Sequence, residues 1–208
     1  MQSLDDTTDA GGGNGSSGSR LGLTLLKDIL SGVAIVVFLI LVFFAISGVW
    51  PPFVAIESGS MEPHMAKGDL VYLVQGDRFS SYDGESELNL VTVEMGSEMD
   101  HLSFGKPGHV VVFRPNGGDG TPIIHRLHLW VEEGEDWTDR ANPAYLGGRT
   151  NCLELPNCPA PHDGFITKGD NNAAYDQVDG QSSVVKPEWV IGRAAVRIPY
   201  LGYFRITI

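Results

Sequence analysis

A mainly β domain held behind one N-terminal transmembrane helix is the architecture this sequence predicts. Three observations carry that expectation. Positions 29–50 form an uncharged run dominated by Ile, Val, Leu and Phe. Beyond Pro51 the chain breaks into short runs rich in β-branched and aromatic residues, bounded by Gly, Pro, Asn and Asp. Helical periodicity is weak throughout that second part, which should hold one or two short helices at most.

The N-terminal segment, residues 1–28, opens on a Gly-, Ser-, Asp- and Thr-rich stretch with nothing to bury. It is expected to be a disordered cytoplasmic segment, and it does not start like a secretory signal, which would carry a basic first region. As a helix, residues 29–50 would measure roughly 33 Å, enough to cross a bilayer. The apolar region of a cleaved signal is shorter, about 7–15 residues. Trp50 stands where an interfacial aromatic belongs, and Pro51 and Pro52 should stop the helix. Arg20 and Lys27 precede the span, and the next basic residue after it is Lys67. Flanking positive charge therefore places the N-terminus in the cytoplasm and residues 51–208 on the outer face of the cell membrane.

In that outer part, strands are expected at 69–74, 109–113, 123–131, 164–167 and 190–198. Two polar stretches, about 75–106 and 132–162, interrupt them and read as surface insertions on a β core. Fourteen Lys and Arg against 26 Asp and Glu give a formal net charge of −12. Such a surface disfavours nucleic acid, whose phosphates call for basic side chains. It fits either an ordinary solvated surface or adaptation to high salt, where screening relieves self-repulsion. Cys152 and Cys158 lie six residues apart around a Pro-containing turn. They pair if that loop is outside the cytoplasm, or remain free thiols; two such ligands are too few for a metal.

The chemistry-bearing segments form an ordered set. Glu57-Ser-Gly-Ser-Met-Glu-Pro63 follows the apolar run; then come Lys-Gly-Asp at 67–69, Gly-His-Val-Val-Val-Phe at 108–113, His125-Arg126, and Lys168-Gly-Asp-Asn-Asn-Ala-Ala-Tyr-Asp176. Each piece alone is weak. Together, over about residues 54–200, they resemble type I signal peptidases, in the archaeal and endoplasmic-reticulum branch that has His where the bacterial enzymes use Lys. With the acidity, the resemblance points to a haloarchaeal member and implies a signal-peptidase-like β ectodomain.

By that resemblance Ser60 is the nucleophile and His125 the general base. Asp176 and Asp170 are both candidate acids, Asp176 the better third member of a triad and Asp170 in support. Ser58 matches a hydroxyl that helps form the oxyanion hole beside the backbone N–H of Ser60. The implied substrates are N-terminal signal peptides of preproteins, with small side chains at the first and third positions before the cut. The implied surroundings are the lipid bilayer and the protein-translocation machinery. No metal or organic cofactor is implied.

The chemistry is consistent with those roles. A serine hydroxyl needs a base to take its proton, and neutral His, with an ordinary pKa of about 6.5, suits that task. A carboxylate behind the ring fixes its tautomer and stabilises the imidazolium. Competing readings are a Lys base at Lys67 or Lys168, a calcium loop at Asp170-Asn171-Asn172, and a catalytically dead β domain that only binds peptides. Among the other histidines, His64 belongs to the Ser60 turn, while His101 and His162 should be solvated. His128 should face away from His125 by strand alternation. His109 stands where the family usually has Asp, which leaves that turn's role open.

Overall fold

A computed structural model of the protein describes residues 17–76, 78, 84 and 86–206. The chain divides between Phe43 and Phe44 into a helical unit and a β unit. The first helix, α1, runs from Ser17 to Ser47, and its Gly22–Ser47 portion is long and apolar enough to cross a membrane. It thus starts well before position 29. Residues 17–28 are helical where disorder was expected, and positions 1–16 of that segment lie outside the described residues. The reason is helix propagation: once the apolar run is helical, each further residue gains a hydrogen bond, and Leu21, Leu23, Leu25 and Leu26 are good helix formers.

The helix also ends before Trp50, ahead of the two prolines. Gly48 adopts a left-handed conformation, φ 75°, and its N–H donates to Phe44 O at 2.8 Å. That geometry is a C-terminal cap, which glycine reaches without a Cβ penalty. Ser47 is buried and its hydroxyl donates to Leu73 O at 2.7 Å.

The β unit contains β1 (Phe53–Ala55), β2 (Leu70–Val74), β3 (Leu102–Ser103), β4 (Lys106–Pro107), β5 (Val110–Phe113), β6 (Ile123–Val131), β7 (Gly164–Lys168) and β8 (Val190–Ile198). Six of these form one antiparallel sheet in the order β1-β2-β8-β5-β6-β7, while β3 and β4 pair separately. The five expected strands correspond to β2, β5, β6, β7 and β8. The three extra strands have two or three residues each, too short for any alternation to register. Three short helices, α2 (Val93–Glu98), α3 (Asp176–Asp179) and α4 (Tyr203–Ile206), exceed the expected one or two.

All four residues of β5 are buried. Val110 and Val112 pack with Met61, Met65 and Leu73, whereas Val111 and Phe113 pack with Leu90, Leu127 and Phe165. Alternate side chains thus serve two cores, one on each face. A third core lies under the polar stretch 132–162. Trp137, Leu146, Leu155 and Ala160 pack there against Ile166, Tyr175 and Val178, and Cys152 is joined to Cys158 by a disulfide. That stretch is therefore part of the packed domain and not a surface insertion. Its apolar residues are few and irregularly spaced, so composition hid them. In the other stretch, Leu90 and Val91 are fully buried; positions 77, 79–83 and 85 lie outside the described residues.

Candidate active site

Ser60 lies on a tight turn after β1. Backbone bonds from Glu62 N to Gly59 O (3.2 Å) and from Met65 N to Met61 O (3.0 Å) close the turn. Met61 and Met65 are fully buried in the core beneath it. Their burial anchors the segment while Ser60 stays half-buried at the mouth of a cleft. The Ser58 and Ser60 hydroxyls are 3.2 Å apart.

His125 comes from β6, the strand between β5 and the edge strand β7, and is 2% exposed. Its Nδ1 lies 2.7 Å from Asp176 Oδ2. Asp176 is fully buried at the first position of α3, and the same oxygen accepts the Thr167 hydroxyl at 2.7 Å. A carboxylate only accepts, so in the neutral ring this contact sets the proton on Nδ1 and leaves Nε2 with its lone pair. Asp176 Oδ1 is buried without a hydrogen-bond partner among the described residues, which gathers the anion's bonding at Oδ2.

The ring's other nitrogen faces the serine turn across Gly169. A Cβ added there would stand 2.8 Å from His125 Nε2, 2.7 Å from Ser60 O and 2.9 Å from Asn172 Cγ. The imidazole and the serine turn therefore converge on one small space that only glycine leaves open. The loop beyond it holds the turn directly. Asn171 N donates to Ser60 O at 2.8 Å, and Asn171 Nδ2 donates to Gly59 O at 3.2 Å. Ser58, Ser60, His125 and Asn172 line one cleft of about 670 Å³, walled on its apolar side by Val112, Ile124 and Ile191.

Asp170 does not meet the imidazole. It forms a bidentate pair with Arg126, Oδ1 to Nε at 2.8 Å and Oδ2 to Nη2 at 2.7 Å. Arg126 is buried too, and its Nη1 donates to Ser103 O (2.8 Å) and Gly108 O (2.7 Å). Burial pushes the Asp170 carboxyl up, but the Arg126 hydrogen bonds and charge more than offset that and hold it below the usual range. His64 Nδ1 sits 3.1 Å from Asp170 Oδ2, close in charge terms but without hydrogen-bond alignment. The second acid thus ties β6, the β3–β4 ribbon and the Ser60 turn together.

The remaining candidates separate cleanly. Lys67 is exposed, and neither it nor Lys168 lines the Ser60 cleft. His128 lies at a register shift in β6 and stacks edge-on against Tyr145 and Tyr175, away from that cleft. His109 is buried; its Nδ1 accepts the Val91 N–H at 3.1 Å and its Nε2 is 3.1 Å from His101 Nε2. Burial, with Arg193, His101 and Arg126 nearby, pushes its pKa down to about 3. His101 is thus not merely solvated, as its polar surroundings implied, but partnered to a buried ring. Cys152 and Cys158 converge with Asp136, yet as a disulfide they lack the thiolates that bind metal. Thr167 and Gly169 were not singled out from the sequence, although the Gly-Asp-Asn-Asn string contained the glycine.

No family model matches the sequence. Among curated proteins the chain is similar to the signal peptidase complex catalytic subunit sec11 of Aspergillus oryzae, 27% identical over 160 residues, covering 76% of this chain and 65% of the relative. The corresponding subunit of Aspergillus terreus is 28% identical over 161 residues, with 76% and 65% covered. That of Paracoccidioides brasiliensis is 27% identical over 160 residues, with 76% and 66% covered. The chain therefore spans just under two thirds of these relatives' length. These relatives are fungal and do not bear on the archaeal origin expected from the sequence.

Proposed function

We propose that the chain is a membrane-anchored serine endopeptidase that removes signal peptides from preproteins, with Ser60 as nucleophile and His125 as general base. The observation that carries this reading is the position of His125, with Nδ1 on the buried Asp176 carboxylate and Nε2 turned to the space shared with the Ser60 turn. The sec11 similarity supports the substrate class.

In this reading His125 Nε2 takes the Ser60 hydroxyl proton as Oγ attacks the carbonyl carbon before the cleavage point. The oxyanion that forms is met by the Ser60 N–H and the Ser58 hydroxyl; each such donor is worth about 3–4 kcal/mol in comparable enzymes. The imidazolium, stabilised by Asp176, returns the proton to the departing amine. Water then enters; His125 takes one of its protons as its oxygen attacks the acyl carbon, and hands that proton to Ser60 Oγ as the C–Oγ bond breaks and the product leaves as a carboxylic acid. Asp170 keeps the Arg126 pair in place and exchanges no proton.

The substrate enters as an extended strand. β1 is the outer strand of the sheet, and its Val54 and Ala55 line the cleft. An added peptide strand would take backbone bonds there and place small side chains against Val112, Ile124 and Ile191. The N-terminus lies in the cytoplasm and the catalytic unit outside. Some ten residues separate the apolar span from Ser60, so enzyme and preprotein share one bilayer and meet at raised effective concentration. The protein-translocation machinery delivers the substrate on that face.

The test is cleavage of a purified preprotein by the full chain in detergent, with the new N-terminus read by mass spectrometry. The wild type should cut once, after a small residue. Ser60→Ala and His125→Ala should each abolish the cut while circular dichroism shows a folded protein. A cut that persists in Ser60→Ala would defeat the proposal.

A further inference from the structure

The side chains of Asp170, Asn171 and Asn172 go to three different places. Asp170 is bound by Arg126, and Asn171 Nδ2 donates to Gly59 O at 3.2 Å. Asn172 is half-buried and lines the Ser60 cleft. Its main chain is fixed: Asn172 N donates to Gly169 O at 3.0 Å, and the neighbouring Asn171 N donates to Ser60 O at 2.8 Å. Its carboxamide makes no hydrogen bond among the described residues. By contrast, the amides of Asn116, Asn142 and Asn157 are spent. The first two accept the backbone N–H groups of Ser183 and Ala144, and the third donates to Gln177 O.

The place of that carboxamide is specific. A Cβ on Gly169 would stand 2.8 Å from His125 Nε2 and 2.9 Å from Asn172 Cγ, so the amide and the basic nitrogen of the ring flank one narrow space. In acyl transfer the reacting carbon carries two groups with different fates. Its oxygen goes to the oxyanion donors, while its amine takes the proton from Nε2. Whatever adjoins Nε2 therefore adjoins the amine and the residue that follows the cut. That residue brings a backbone carbonyl, which an amide N–H can meet. A neutral donor suits this place. A cation there would oppose the imidazolium that must form, and a carboxylate would hold the ring protonated.

We propose that Asn172 is a further catalytic residue. Its Nδ2–H donates to the backbone carbonyl of the residue after the cut and holds the departing amine at His125 Nε2. This role rests on the peptidase reading above. The bond exists only while the departing segment is in place. Attack of Ser60 on a peptide uses it, and attack on a reagent without such a segment does not.

The full chain in detergent is compared with Asn172→Ala and with Asn172→Leu, which keeps the volume and removes the amide. Two rates are read: cleavage of a preprotein, and labelling of Ser60 by an alkyl fluorophosphonate, whose departing group is fluoride. Both variants should cleave with kcat/KM lower on the order of tenfold, the worth of one neutral hydrogen bond. Both should be labelled within about twofold of the wild-type rate. Labelling at that rate requires an intact Ser60 and His125, so a misfolded variant does not imitate the result. Unchanged cleavage in the variants, with an active wild type, would overturn the role of Asn172 alone. An equal loss of both rates would overturn it too, because Asn172 would then merely support the serine turn. A wild type that neither cleaves nor is labelled would overturn the peptidase reading, and this role with it.

Discussion

Replacing Asp176 by asparagine separates the charge behind His125 from the shape around it. In the native site Asp176 Oδ2 takes two hydrogen bonds of 2.7 Å, from His125 Nδ1 and Thr167 Oγ1, while Oδ1 is buried without a partner. An asparagine oxygen at the Oδ2 position could keep both bonds. Its NH₂ would then occupy the unpartnered site, and a buried, unsatisfied amide costs about 1–3 kcal/mol. Turned over, the NH₂ would face Nδ1 and force the ring proton onto Nε2, where it blocks proton uptake from Ser60. In either orientation the negative charge that stabilises the imidazolium is gone. In serine-protease triads this exchange lowers kcat on the order of 10⁴-fold, about 5.5 kcal/mol of barrier. Asp176→Asn should therefore cut preprotein about 10³–10⁴-fold more slowly. Its thermal midpoint should fall by about 2–12 °C, given roughly 2–4 °C per kcal/mol for a domain of this size. The assay is initial cleavage rate in detergent, paired with a melting curve by circular dichroism. A folded variant that keeps a tenth or more of wild-type activity would refute the role given to this carboxylate.

Three further outcomes follow from the same contacts. Thr167→Val removes the hydroxyl that helps aim Asp176 and should lower kcat about five- to tenfold with KM unchanged, since about 1 kcal/mol of orientation is lost; an unaltered kcat contradicts this. His109 has its pKa lowered from 6.5 to about 3: the unfolded chain takes up a proton below about 6.5 and the folded chain does not. Stability from the neutral ring is thus complete above pH 6.5 and lost toward pH 3, at about 1.4 kcal/mol per pH unit. His109→Gln, which can still accept from Val91 N, should flatten the pH dependence of urea unfolding between pH 6.5 and 4 by one proton's slope; an unchanged slope would show that His109 is not its source. The Cys152–Cys158 bridge closes a loop with a sequence separation of 6. The Cys152→Ser/Cys158→Ser double variant should lose about 2 kcal/mol, or about 4–8 °C of thermal midpoint; calorimetry showing no loss contradicts that estimate.

What the sequence disclosed depended on how locally each feature is written. The five longer strands were legible because their β-branched runs are bracketed by turn residues. β1, β3 and β4 were not, because two or three residues carry no period. The long apolar helix was legible in kind but not in extent. Propensity carried it back to Ser17, and Gly48 ended it where the prolines drew the eye. Residues 132–162 were misjudged because Trp137, Leu146 and Leu155 become a core only once β7 and Tyr175 lie beneath them. In the site, motif order put Ser60, His125, Asp176 and Asp170 forward together. Spacing alone could not divide labour between the two acids; the resemblance favoured Asp176 over Asp170 as the acid behind His125, without revealing that Arg126 binds Asp170. Thr167 and Gly169 were invisible for a related reason. A threonine in a strand and a glycine in a turn are ordinary until a carboxylate and an imidazole are placed beside them.

If Ser60 is the nucleophile, its hydroxyl owes its reactivity to His125. The most direct measurement is the rate at which a fluorophosphonate labels the full chain in detergent, with the modified residue located by peptide mass spectrometry. Wild type should be labelled at Ser60 alone, and His125→Gln should be labelled there on the order of 10³-fold more slowly, the loss expected when a general base is removed. Equal labelling rates in the two proteins, or a label on some other serine, would contradict it.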